Sequence, residues 1–190
     1  MMKTRRPIWF LMLGVGLIIV TVVALVVLHN LQTANSKQAF YQGMAHHQEA
    51  EGILPATEQM HIFAIRDKVT ASHSISDEDL NWVLDKLKAN SAPGKLQALA
   101  RADLLEPISA LEGASVPASQ KDRIFKAVVP MLSKDPPFDG LLDKTRASNV
   151  MRSINDKRAI PYLVPLLSSP DEQVREHAQH ALTVIGYKSR

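Results

Sequence analysis

The stretch "MAHHQEAE", residues 44 to 51, holds a close group of potential metal ligands. Met44 offers a soft thioether and His46 and His47 offer imidazoles, which is ligand chemistry that copper accepts. His47 and Glu51 lie four residues apart, so they share one helical face. Adjacent histidines point about 100° apart on a helix, however, which favours solvated or partner-facing side chains. A copper-type metal site at Met44, His46 and His47 is therefore the second of two functional hypotheses.

A second histidine pair, His177 and His180, lies near the C-terminus at a spacing of three residues. Such a pair can supply two metal ligands from one helical turn. Two histidines alone would leave a tetrahedral metal ion half-coordinated. We therefore expect this pair to lie on a solvated face of the last helix.

Enzymatic chemistry has no visible basis in the sequence. The chain has no cysteine, which excludes thiolate nucleophiles, disulfides and Cys-type zinc sites together. It has no Gly-x-Ser-x-Gly, no His-Glu-x-x-His and no Gly-rich phosphate loop. We expect neither an enzyme nor a bound cofactor.

The elements that must position these residues begin with a long apolar stretch. Ile8 to Leu28 is twenty-one residues without a charge, which matches the length needed to cross a bilayer as a helix. A cleaved signal peptide is the alternative, but its apolar part is usually shorter and ends in a small-residue cleavage site. Lys3, Arg5 and Arg6 precede the stretch, so residues 1–7 are predicted to be cytoplasmic. The main domain is then exoplasmic, and periplasmic if the organism is bacterial.

Charge beyond the anchor is balanced. Removing the three N-terminal cations from the 22 Lys and Arg residues leaves 19, against 19 Asp and Glu. The net charge of +3 therefore gives no argument for nucleic acid, which would need a basic patch on the domain itself. The expected partners are instead proteins of a membrane complex, together with the bilayer that holds the anchor.

The rest of the chain reads as helix after helix. No glycine or proline occurs between Gly16 and Gly43, so the anchor helix is expected to continue without a break. Residues 29–75 are interpreted as a juxtamembrane helical region, and residues 76–190 as a helical repeat domain. The sequences "SDED" at 76 and "SQKD" at 119 are of capping-box type and predict helix starts at each serine. No stretch alternates in the manner of a strand, so the fold class is predicted to be all-α.

Self-comparison of the chain reveals a repeat. When residues 171–185 are set over residues 140–154, the apolar stripes coincide at spacings of three and four. Helices preceding these two also correspond, because "YLVPLLSS" and "AVVPMLSK" carry a proline in the same position, where it would bend the first helix of each pair. A third, degenerate copy precedes them, with a register that is ambiguous by one residue. The superposed pairs are Ala178 with Ala147, Ala181 with Val150, Leu182 with Met151, Ile185 with Ile154 and Arg175 with Lys144.

The stretch "AIPYLVPLLSSPDEQVREHAQHALTVIG", residues 159 to 186, resembles a HEAT repeat. Asp171 and Arg175 occupy the family's Asp and Arg positions, and Gly186 suits the left-handed residue that ends a helix. The preceding copy departs from the pattern, with Asp143 where Val174 stands. The resemblance implies an α-solenoid of about three helix pairs that binds other proteins along an extended surface, and it implies no activity.

The first functional hypothesis follows from these features. The chain is interpreted as a single-pass, membrane-anchored interaction or assembly subunit of a membrane-associated complex. Four charged residues near the C-terminus are predicted to contact the partner: Lys144, Arg146, Arg152 and Glu176.

Overall fold

The computed structural model describes the backbone of residues 9–133 and 139–188 and the side chains of residues 26–133 and 140–188. The chain divides into two compact units, Met1–Met44 and Ala45–Arg190. Every regular element in the described ranges is a helix and none is a strand. The prediction of an all-α fold is therefore confirmed.

Helix α1 spans Trp9–Ala50 without interruption. The continuous helix predicted from the absence of glycine and proline is confirmed. Most of the predicted anchor, Ile8 to Leu28, is outside the ranges whose side chains are described, because that description begins at residue 26. Across the described residues, none of the helices combines the length and the apolarity that a membrane span requires.

The second unit is built from short helices. Its α-helices are α2 (Ala56–Ser72), α3 (Asp77–Ala89), α4 (Lys95–Leu104), α5 (Glu106–Ser109), α6 (Ala118–Leu132), α7 (Asp139–Ile154), α8 (Ile160–Leu163) and α9 (Glu172–Ile185). Two 3-10 helices, Lys157–Ala159 and Val164–Ser168, flank α8.

These helices pack as successive pairs in two layers. One layer contains α3, α6 and α8 with its following 3-10 helix, and the other contains α4 with α5, α7 and α9. Each helix of the second layer contacts the next one, α4 and α5 packing on α7 and α7 on α9, while α2 packs on α5. The arrangement is compatible with a helical-repeat solenoid.

The burial of individual residues confirms the superposition of α7 and α9. Ala147 and Ala178 are both fully buried, and small residues there let the two helices approach closely. Burial also coincides at the remaining apolar pairs, which are Val150 with Ala181, Met151 with Leu182 and Ile154 with Ile185. The repeat that the sequence predicts therefore corresponds to an equivalent packing of side chains.

The Asp and Arg positions of the last repeat both serve its inter-helix turn. Asp171 is the N-cap of α9, and its carboxylate accepts a hydrogen bond from the backbone N–H of Val174 at 3.1 Å. Arg175 Nη1 donates to the carbonyls of Ser169 at 2.8 Å and Pro170 at 2.9 Å. These contacts give the turn between the two helices a defined conformation.

The first repeat has an arginine in the same role, and this resolves its ambiguous register. Arg101 Nη1 donates to the carbonyls of Asn90 at 2.7 Å and Ala92 at 2.9 Å, in the turn between α3 and α4. Arg101 is thus equivalent to Arg175. In that register, each buried residue of α9 corresponds to a buried residue of the first repeat. These residues are Ala100, Leu104, Pro107, Ile108 and Leu111.

Asp143, which departs from the repeat pattern, has a partner in the preceding repeat. The carboxylate of Asp143 accepts two hydrogen bonds from Arg101, from Nε at 2.9 Å and from Nη2 at 2.7 Å. Both side chains are at most 2% exposed. An acid therefore occupies the position equivalent to Val174 because a buried guanidinium of the neighbouring repeat requires a counter-charge.

The two corresponding prolines have different consequences. Pro130 lies inside a continuous α-helix, α6. Pro165 is instead the second residue of the 3-10 helix Val164–Ser168, which directly follows α8. Of the two predicted serine caps, Ser76 is confirmed, because its hydroxyl accepts from Asp79 N at 3.0 Å. The cap at Ser119 is wrong, since α6 already begins after Pro117, whose fixed φ favours a helix start.

Candidate functional site

The histidines of the first cluster contact different carboxylates. His46 Nδ1 lies 3.7 Å from Glu49, and His47 Nε2 lies 3.3 Å from Glu51. The side chains of both histidines are about three-quarters exposed. Met44 is also exposed and belongs to the first unit. In the described part of the chain, no group of three or more His, Asp or Glu side chains is placed to hold a metal ion.

A band of polar side chains crosses α4, α7 and α9 in the second unit. We define this polar band by the residues that contact or electrostatically affect one another along it, which are Asp103, Arg146, Asn149, Arg152, His177 and His180. It brings together two of the four predicted partner-binding residues, Arg146 and Arg152. The band joins side chains from three successive repeats.

Arg152 connects the band to the loop that follows α5. Its Nη2 donates to Glu112 at 2.9 Å, and its Nη1 lies 2.9 Å from Nδ1 of His180. Because a guanidinium only donates, Nδ1 of His180 accepts and carries no proton. The Nε of Arg152 is buried without a hydrogen-bond partner among the described residues. Arg152 therefore has a structural function, and its predicted contact with a partner stays a prediction.

Arg146 lies in the field of an unusual acid, Asp103. Burial raises the pKa of the Asp103 carboxyl to about 6, and the negative charge of Glu106 acts in the same direction. Arg146 and a hydrogen bond from Gln48 oppose this rise without cancelling it. Glu106 is itself paired with Arg66 at 3.1 Å. Asp103 can therefore change its charge near neutral pH, although the sequence gives no sign of this.

The second histidine pair is not simply solvated, so that prediction requires correction. His177 is half-buried, and its Nδ1 lies 2.8 Å from Asn149 Oδ1 on α7. Burial lowers the pKa of His177, and the charges of Arg152 and Arg146 lower it further. The imidazole is therefore neutral at pH 7 and serves the contact between α7 and α9.

Of the other two predicted partner contacts, Glu176 adjoins the polar band, because its negative charge acts to raise the pKa of His177. Lys144 is half-buried and occupies the position equivalent to Arg175 in the middle repeat. Glu176 is exposed and lines a shallow depression of about 490 Å³ with Arg175, Gln179 and His180. Three of the four residues, Arg146, Arg152 and Glu176, therefore act on the same imidazole, that of His177, and the role of all four in partner binding stays a prediction.

The polar band offers cationic donors, the neutral imidazole of His177 and one titratable acid on a framework of three helices, which is chemistry suited to contacts with charged groups. Comparison of the chain with protein families, with curated proteins and with solved structures finds no match.

Proposed function

We propose that this protein is a single-pass membrane protein whose helical domain lies on the exoplasmic side and binds a partner protein. It acts there as an interaction or assembly subunit of a membrane-associated complex. The observation that carries this proposal is the equivalence of the three helix pairs, seen in the buried stripes and in the matching roles of Arg101 and Arg175. Stacked pairs of this kind build an extended surface, which is a common platform for protein recognition.

We assign the helix pairs to the HEAT-like type. The N-cap at Asp171, the turn contacts of Arg175 and the left-handed Gly186 (φ 82°) each support this assignment. The polar band is the proposed partner surface, with Arg146 as its most suitable cation, since Arg152 is engaged by Glu112 and His180.

The anchor is supported by the uncharged stretch from Ile8 to Leu28 and by its place in the uninterrupted helix α1. Tethering raises the local concentration of the domain at the bilayer, so that weak contacts suffice for assembly. Because the chain has no cysteine, single cysteines report topology without background labelling.

Topology is tested with Thr4→Cys and Lys157→Cys in right-side-out spheroplasts treated with a membrane-impermeant maleimide. We expect labelling at position 157 and, at position 4, labelling only after the membrane is opened. The opposite pattern, or recovery of the protein without detergent, would refute the proposed anchoring.

Partner binding is tested by purifying the full-length chain from its native membrane in mild detergent and identifying stoichiometric companions by mass spectrometry. Arg146→Glu should release the companions, because it reverses the charge in the middle of the polar band. Lys157→Glu is the matched control, since Lys157 is an exposed cation outside the band. A chain that purifies alone, or companions retained equally by both variants, would refute the proposed surface.

A further inference from the structure

A groove between α3 and α6 has no role in the proposed partner surface. It has a volume of about 590 Å³ and lies between the C-terminal halves of the two helices. Most of its wall is apolar, and the apolar residues that line it are Leu84, Leu87, Ala127, Pro130 and Met131. Apolar surface in a concave site is favourable for binding because a ligand removes it from water.

The equivalent junction between α6 and α8 is filled by the chain itself. Phe125 and Tyr162 meet edge to face there, with ring centroids 6.1 Å apart. The guanidinium carbon of Arg158 lies 4.4 Å from the centroid of the Phe125 ring. No aromatic side chain stands among the described residues that line the groove between α3 and α6. The junction between α6 and α8 therefore holds an aromatic pair that the described lining of the groove lacks.

The charge around the groove is predominantly positive. Lys88, Arg123 and Lys126 line it, against a single acid, Asp85. The buried Arg101, which also reaches the groove, is already neutralised by its own counter-ion. The apolar wall is thus bordered by Lys88 and Lys126, together with the paired Arg123, which is complementary to an apolar segment that carries acids.

Of the rim cations, Arg123 is paired with Asp77 at 2.7 Å, whereas the two lysines remain available to a partner. Lys88 makes no ion pair within the described part of the chain. Lys126 pairs at 2.7 Å with Asp122, one turn earlier on the same helix, and its side chain is 74% exposed. An exposed pair of that kind contributes little to stability, so another carboxylate can readily replace Asp122.

Pro130 adds a backbone acceptor to the groove. It has no N–H, so the carbonyl of Lys126, four residues earlier, lacks its usual helical donor. Both residues line the groove. A polar side chain of a bound segment can therefore donate to this carbonyl.

We propose that the groove binds one amphipathic helix of a partner protein, with apolar residues on its inner face and acidic residues along its flanks. The groove follows α6 from Arg123 to Met131, roughly 12 Å at the α-helical rise, which suits two to three turns of such a helix. The inference rests on the proposed role as an interaction subunit but uses a surface separate from the polar band. So small a contact is weak by itself and gains its effect from membrane tethering.

The test uses the full-length chain in nanodiscs of neutral lipid and a fluorescent designed peptide of fourteen residues, with leucines on one helical face and glutamates beside them. The matched peptide carries lysine in place of every glutamate. The variant Lys88→Glu/Lys126→Glu reverses the rim, and Lys95→Glu/Lys157→Glu is its control, because those two cations are exposed and do not line the groove. Ala127→Trp fills the apolar wall without changing charge.

We expect the acidic peptide to bind the wild type and the control equally, and the reversed rim and the filled groove at least tenfold more weakly, by fluorescence anisotropy. The lysine peptide should bind the wild type at least tenfold more weakly than the acidic one. Equal binding of the acidic peptide to all variants, or no binding to the wild type, would overturn the proposal. Self-association of the chain would also overturn the proposal if the reversed rim abolishes it and the peptide cannot displace it. The groove would then be occupied by a second copy of the chain. If the peptide does not bind but the full-length chain still purifies with companions that Arg146→Glu releases, only the proposed groove is refuted. If the peptide does not bind and no such companions are found, the proposed function is refuted as well.

Discussion

Replacement of Asp143 by valine should strongly destabilise the helical domain. Valine fits sterically, because the equivalent position of the last repeat is the fully buried Val174. It would, however, leave Nε and Nη2 of Arg101 without their acceptors in a site where both side chains are at most 2% exposed. The perturbation therefore isolates one buried charge.

The magnitude follows from the geometry of the pair. Two unit charges roughly 4 Å apart at an effective dielectric constant of about 20 attract by about 4 kcal/mol. Removal of one partner of a buried pair costs about 3–5 kcal/mol, since the other charge is left uncompensated. For a domain of this size, that corresponds to a fall in Tm of roughly 10 °C.

The double variant Arg101→Met/Asp143→Val should recover most of this loss. It removes both charges, and the two carbonyls that Arg101 Nη1 contacts belong to Asn90 and Ala92, which are not buried and can bind water instead. Replacing a buried pair by apolar side chains of similar volume is often neutral. The most informative result is therefore whether the double variant is more stable than Asp143→Val alone.

The assay is urea unfolding of the full-length chain, followed by the fluorescence of Trp82 in a Trp9→Phe background. Trp82 packs edge to face against His61 at 4.4 Å and so reports loss of the folded domain. Asp85→Val is the matched control, an exposed acid that should change stability by no more than about 0.5 kcal/mol. An Asp143→Val variant within about 1 kcal/mol of the wild type, or a double variant no more stable than the single one, would refute the reasoning.

Three further predictions concern burial, pH and metal. Ala178→Asp places a charge in a fully buried position and should lower the free energy of unfolding by several kcal/mol, whereas Gln179→Asp on the exposed side should change it little. Equal urea midpoints for the two variants would show that the register of the repeat is wrong. The pKa of Asp103 is raised from 3.8 to about 6 in the folded state. The wild type should therefore lose at most about 3 kcal/mol of stability as the pH rises from about 4 to about 6, and Asp103→Asn should not show this loss. Parallel pH profiles of the two proteins would contradict this. Copper titration of the full-length chain should separate the wild type from a His46→Ala/His47→Ala variant if the metal hypothesis holds, and equal weak binding would remove it.

The sequence predicts the last repeats well because their signals are local. Small and apolar residues recur every three or four positions along α7 and α9, and this spacing alone determines which side is buried. Asp171 and Gly186 mark the two ends of α9 through contacts within one or two turns. A pattern of this kind needs no knowledge of the rest of the chain.

The interactions that the sequence did not predict all depend on distant residues. Asp143 and Arg101 are separated by 42 positions, so the acid could be interpreted only as a departure from the repeat. The raised pKa of Asp103 requires burial in the folded domain, and Gln48 and Arg146, which oppose the rise, come from two distant parts of the chain. His177 becomes a packing residue only because Asn149 faces it across the contact between α7 and α9.

The two equivalent arginines show how position in the stack determines residue type. Arg101 is covered by the next repeat, which supplies Asp143, and the neighbouring positions there are the buried Ala102 and Leu105. Arg175 makes the same turn contacts, but its only partners in the described part of the chain are two backbone carbonyls.

At the counterparts of Ala102 and Leu105, the last helix carries the exposed polar residues Glu176 and Gln179. The arginine of the first repeat has a buried counter-charge and small or apolar neighbours, whereas the arginine of the last repeat contacts backbone carbonyls and has polar neighbours. The sequence differences between the first and last copies are therefore a consequence of burial, and the helix pairs keep one common packing despite them.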